Sequence, residues 1–139
     1  MTLDQTAALQ AALAGEHAAL YAVGVAGGHL HGSRFAAAEQ LYAAHRDRRD
    51  ALTALIAATG TTPVAAEPAY DLPAAVTTPA GAAALVRVVE QRLAAVYGDL
   101  VEAATDARVR GVAVHALVTV ARDQTTWGAT PVAFPGANP

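Results

Sequence analysis

The chain has 139 residues, a formal net charge of −3 and a pI near 5.9, so it forms one domain with room for a core and offers no basic footprint to nucleic acid. It contains no cysteine, which excludes disulfides, zinc–thiolate sites and thiol catalysis. Hydrophobic residues reach 54% with only 5% aromatics, because alanine supplies most of them, and stability must come from close helix–helix approach rather than from bulky side chains.

The N-terminal stretch MTLDQTAALQ has no basic n-region and carries Asp4, so it does not read as a secretory signal. The most apolar run, Ala18 to Gly28, falls short of the roughly 20 residues a membrane span needs. A cytoplasmic protein that neither spans a membrane nor binds nucleic acid is the expectation. Periodicity predicts a first helix from about Leu3 to Gly27, capped by Thr2 or Asp4 and closed by Gly27–Gly28. Its inward stripe is Leu9, Leu13, Glu16, Leu20, Val23 and Gly27. Ser33 is the expected cap of a second helix that ends near Thr59–Gly60, with the stripe Ala38, Tyr42, His45, Arg49, Leu52 and Ile56. Glu16 and His45 thus stand where leucines belong. Buried charge is costly unless it is paired, so these groups demand a partner, a ligand or a metal.

Residues 60–78 hold Pro63, Pro68 and Pro73 and few core-forming residues. Thr78–Pro79 opens a third helix that runs to about Thr105, and Asp106 caps a fourth that runs to Trp127. Residues 1–127 are then a single four-helix domain, and 128–139, with Pro131, Pro135 and Pro139, an extended tail. A helix of about 25 residues is roughly 38 Å long. A proline-rich segment like 60–78 reaches roughly 59 Å, enough to run the length of the bundle and set helix three parallel to helix two. The expected fold is all-α: two antiparallel hairpins joined by one long crossover.

ALQAALAGEHAALYAVGV in helix one, EQLYAAHRDRRDAL in helix two and the proline-rich crossover resemble the ferritin-like superfamily, and more closely an alanine-rich ferritin-like domain of unknown function common in high-G+C bacteria. The resemblance implies a ferritin-like four-helix bundle. In the metal-binding members, two helices each give a Glu and two each give a Glu-x-x-His. Glu16 matches the first glutamate, His45 the helix-two histidine and Glu90 the helix-three glutamate. Tyr42 and Val112 stand where the glutamates of the two Glu-x-x-His pairs would be, so the resemblance implies a degenerate metal centre.

Register puts His45 level with Glu16. His115 is out of step with Glu90 and lies on a polar stripe, so it is expected to face solvent, while Val109, Ala113, Ala116, Val120 and Trp127 form the apolar stripe of helix four. Glu90 lies beside the apolar seam Val86, Val89, Leu93, Val96 and Leu100. Glu16, His45 and Glu90 would suit one divalent ion such as iron or manganese but are too sparse for a bridged pair. The same residues, with Arg49 one turn after His45 and with Tyr42, form a buried polar network without any metal. Arg46 to Asp50 interleave as a solvated face, His29 and His31 flank a glycine turn, and Tyr21, Tyr42 and Tyr97 fall at core spacing. No nucleophile or acid–base constellation is readable, so no catalytic residue and no cofactor are expected.

Three functions compete: a structural, binding or regulatory bundle; a mononuclear or depleted di-metal oxidase using Glu16, His45 and Glu90; and a small-molecule binder at Tyr42, His45 and Arg49. Helix one, apolar nearly all round, is expected to pair with a second copy, its glycines Gly24, Gly27 and Gly28 permitting close approach.

Overall fold

The computed structural model describes residues 3–137. Within them the chain forms α1 (Gln5–Gly27), α2 (Gly32–Ala58), α3 (Pro79–Ala103) and α4 (Ala107–Thr126) around one core. Asp4 caps α1 by accepting from the Ala7 amide at 2.7 Å, Thr78 caps α3 with Pro79 following, and Asp106 caps α4. Thr2, the alternative cap, and Pro139 lie outside the described residues. The second helix departs from expectation: it starts at Gly32, with His31 at the cap position and no side-chain cap bond, so Ser33 is already helical. Among the described residues no helix is long and apolar enough to cross a membrane.

Side chains at the helix ends fix the topology. Gln5 Oε1, at the start of α1, accepts from the amides of Thr105 and Asp106 at 2.8 and 2.9 Å, tying that end to the α3–α4 turn. At the opposite end, the Arg34 guanidinium at the start of α2 lies 4.8 Å over the ring of Trp127, which follows α4 and is buried. Arg87 of α3 donates to the Trp127 carbonyl at 2.8 Å. Helix α1 is therefore antiparallel to both α2 and α3, and α2 and α3 run parallel. The close helix pairs are α1–α2, α1–α3 and α3–α4. Two hairpins joined by a long crossover make this four-helix bundle.

The crossover lies along α1. Gln10 donates to the Thr62 carbonyl and accepts from the Val64 amide, both at 2.8 Å; His17 Nε2 lies 3.0 Å from the Val64 carbonyl; the rings of Tyr21 and Tyr70 sit 5.8 Å apart. Leu72 and Val76 then pack against the core. This accounts for the apolar circumference of α1. Two sides meet α2 and α3, and much of the side expected to receive a second copy is covered by the chain's own crossover, while Gly24 and Gly28 stay exposed at the helix end.

The tail, expected to be extended from its prolines, turns back onto α3. Gly128 turns the chain at φ 101°, and Gly136, at φ 82°, lies on α3 so closely that a Cβ there would collide with the Ala94 carbonyl. Gly98 of α3 leaves the space beneath it: a Cβ at that position would sit 3.3 Å from the Gly136 carbonyl oxygen. Gly136→Ala combines a positive φ with this collision and should weaken tail attachment by about 1–2 kcal/mol. Phe134 is 79% exposed on the same tail. Faster elastase cleavage after the neighbouring Val132 and Ala133, which are exposed as well, with far-UV circular dichroism unchanged, is the expected readout.

Candidate functional site

Three fully buried ionisable side chains meet at mid-bundle: Glu16 from α1, His45 from α2 and Glu90 from α3. His45 Nδ1 lies 2.6 Å from Glu16 Oε2, and its Nε2 lies 2.6 Å from Glu90 Oε1. The other Glu16 oxygen accepts from Arg48 Nε at 2.8 Å and from the Tyr97 hydroxyl at 2.5 Å. Both imidazole nitrogens face carboxylate oxygens at short distance, so both donate and the ring is an imidazolium. Arg48 Nη2 lies 3.0 Å from His45 Nδ1; with that proton directed at Glu16, the approach of the two cations is offset by the carboxylate they share. Two carboxylates, one imidazolium and one guanidinium sum to zero, which is how an apolar core tolerates them.

The electrostatics agree with this protonation. Burial by itself would push the His45 pKa down, but the hydrogen bonds and charges of Glu16 and Glu90 outweigh it and raise it from 6.5 to about 9. Burial would raise Glu16; the hydrogen bond and charge of His45 and the charge of Arg48 prevail and hold it below its ordinary value. Burial and the negative charge of Glu16 push the Tyr97 phenol up, so it stays a hydrogen-bond donor. Asp123 of α4 is drawn into the same field: burial, then the charge of Glu90, push its carboxyl up from 3.8 to about 6. Glu90 Oε2 is the one buried side-chain polar atom without a partner among the described residues.

The structure brings Glu16, His45 and Glu90 together but leaves Tyr42 and Arg49 out. Tyr42 is 39% exposed, and Arg49, its side chain 33% exposed, pairs at 2.9 Å with Asp50 on the surface. The inward stripe of α2 is Ala38, Leu41, His45, Leu52 and Ile56, with Arg48 only 14% exposed between His45 and Leu52. The two candidate stripes share Ala38, His45, Leu52 and Ile56 and differ by one residue at the intervening turns, which is enough to exchange Tyr42 for Leu41 and Arg49 for Arg48. Leucine in place of tyrosine was the available signal. Arg48 therefore does not belong to the solvated face assigned to residues 46–50. Glu90 sits within the buried surface of α3, not beside it, because that helix packs on both α1 and α4 and buries a wide face that also takes in Tyr97. Tyr97 carries a hydrogen bond as well as packing; its position seven residues after Glu90, on the same side of the helix, was the clue. His115 is exposed, as its stripe implies.

As arranged, these residues do not fit a metal. Glu16 and Glu90 approach His45 from opposite ring nitrogens, so an ion bound to one nitrogen would have the other carboxylate on the far side of the ring. Ligand distances near 2.0–2.3 Å demand convergence that this geometry lacks. The Arg48 guanidinium already lies against both Glu16 and His45 Nδ1, and Glu90 Oε2 is a single open donor. Among the described residues no three His, Asp or Glu side chains are grouped to hold an ion.

The family described as "Domain of unknown function (DUF4439)" matches residues 8–139. Among solved structures, the chain is similar to a conserved hypothetical protein, rv2844, from Mycobacterium tuberculosis, with 33% sequence identity over 88% of this chain and 93% of that one and a TM-score of 0.86. No curated protein matches the chain.

Arg48→Met should cost about 2–3 kcal/mol in urea unfolding, because Glu16 keeps its burial and loses a charged donor. Arg49→Met, at the surface, should stay within about 0.5 kcal/mol. Equal effects would mean that Arg48 does not hold the Glu16 charge in solution. A second expectation concerns pH. The folded-state pKa of His45 lies above its unfolded value, so its stabilisation is complete below 6.5 and lost as pH rises through about 9. Unfolding free energy should fall by about 3 kcal/mol between pH 6.5 and 9. The Glu16 contribution is lost only on acidification, and Asp123, also raised, loses its contribution as pH rises through about 6. The interval from 6.5 to 9 therefore isolates His45, and a flat profile there would mean that the folded ring is neutral.

Proposed function

The chain belongs to the DUF4439 family, and from that premise we propose that it is a ferritin-like bundle in which a charge-neutral hydrogen-bonded core stands in for a metal centre, giving it a structural, binding or regulatory role. The crossover topology supports the ferritin-like reading, as does the position of Glu16, His45 and Glu90 on three helices facing one another at mid-bundle. The absent carboxylates at Tyr42 and Val112 support the loss of metal.

The observation that carries the proposal is a glutamate oxygen 2.6 Å from each ring nitrogen of His45, while Arg48 donates to the second oxygen of Glu16. A divalent cation entering this neutral cluster would add two uncompensated positive charges to the core. To accept it, His45 would have to give up a proton held with a pKa near 9, and Arg48 would have to withdraw from Glu16. The oxidase reading needs both events. A binder at Tyr42, His45 and Arg49 has less support, since His45 is sealed and the other two point outward.

Elemental analysis of tag-free protein, incubated with iron(II) or manganese(II) and then desalted, is the direct test. The expected result is far less than one metal per chain. About one equivalent, lost in His45→Ala, would overturn the proposal and turn attention to oxygen consumption.

A further inference from the structure

Away from the charge chain, the space between α1, α3 and the crossover is not filled. Helix α1 presents Gly15, Ala19 and Ala22 there, side chains too short to reach across, while α3 presents Leu93 and Val96 and the crossover closes the far side with Leu72. At one end the helices are already as close as they can be: a Cβ on Gly15 would stand 3.0 Å from Leu93 Cδ2. Beside that contact lies an apolar pocket of about 140 Å³, open on one side to solvent. Asp71 and Arg92, both exposed, stand among its lining residues and mark its mouth.

Contacts at and beyond the rim hold the walls in place, Tyr70 being itself part of the lining. Helix α1 is held to α3 by the bond from Tyr97 to Glu16. The crossover is pinned upstream by Gln10, braced by the packing of Tyr70 on Tyr21, and tightened by the Glu67 amide donating to the Tyr70 hydroxyl at 2.9 Å. The pocket is open to solvent at its mouth, and water there makes poor contact with an apolar lining; an apolar group that displaces it gains dispersion contacts along the walls. Enclosed apolar cavities of about 150 Å³ take up benzene or xenon, which sets the size of the group that a pocket of this volume accepts.

We propose that this cavity is a binding site for a small, uncharged apolar group, about the size of a benzene ring or a short branched alkyl chain. One carboxylate and one guanidinium at the mouth balance each other, so selection is by the shape and apolarity of the body that enters and not by its charge. The site is independent of the metal question: it shares no residue with the Glu16–His45–Glu90 chain.

The test is a benzene titration followed in the methyl region of carbon–proton correlation spectra, on the wild type and on Ala22→Leu, which puts a leucine into the cavity. Saturable shifts are expected on the methyls of Ala19, Ala22, Leu93 and Val96 in the wild type, and the loss of those on Ala19, Leu93 and Val96 in Ala22→Leu with circular dichroism unchanged. If Ala22→Leu fails to fold, Ala18→Leu, on the partly exposed wall, fills the same space and carries the same expectation. Absence of saturable shifts in the wild type up to the solubility of benzene would overturn the proposal, as would shifts that persist in a folded, filled variant. A crystal pressurised with xenon gives an independent reading: xenon between Ala22 and Leu93 supports the site, and xenon only elsewhere overturns it.

Discussion

A carboxylate can be buried in an alanine-rich core only if positive charge and hydrogen-bond donors are buried with it. Glu16 receives the charge from His45 and Arg48 on one neighbouring helix and a further donor from the Tyr97 phenol on the other. Glu90 balances the second face of His45. Three helices are thereby connected through directional bonds at one level of the bundle, and a slip of one residue in any of them would leave a buried charge without its partner. Leucines in these places would hold the helices together without specifying that register as sharply, because apolar contact is nearly indifferent to a small displacement.

Alanine richness has two opposite consequences. Small side chains let α1 approach α2 and α3 closely, and Gly98 lets the tail lie on α3 through Gly136. The same shortness leaves space wherever a third element keeps two helices apart, and the crossover does so along α1. The apolar cavity and the tight glycine contacts are products of one composition acting at different separations. The crossover itself acts as a fifth packed element and covers much of the outer side of an apolar helix.

Chemically, the charge chain turns an acidic, imidazole-containing core toward permanence. A metal centre needs unprotonated nitrogen, free carboxylate oxygens and a net negative charge to attract a cation. Here the imidazole is doubly protonated, one glutamate is bound on both oxygens, and the sum of charges is zero. The groups that would serve as ligands are occupied with one another, and Arg48 is the residue that tips the balance.

Much of the fold could be read in the sequence because helices are local objects. Capping residues Asp4, Thr78 and Asp106, glycines after α1 and α2, and repeating apolar positions depend only on neighbours along the chain. The length and proline content of residues 60–78 were enough to require a crossover, since reach is set by residue count. Glu16 and His45 stood out by the same logic, as ionisable groups on apolar stripes. The rotation of α2 was marked only weakly in the sequence, by Leu41 against Tyr42, and that rotation decides whether Arg48 or Arg49 faces inward. Glu90 and Tyr97 were likewise ambiguous because the buried width of α3 depends on how many helices surround it. The covering of α1 by residues 62–72, the docking of Gly136 and the cavity between α1 and α3 arise between segments distant in sequence. Local propensity and periodicity thus determined which residues are helical and which face of each is apolar. Only the tertiary structure decided which charges meet, because a pair across helices is set by rotation and register, to which side-chain periodicity alone is blind.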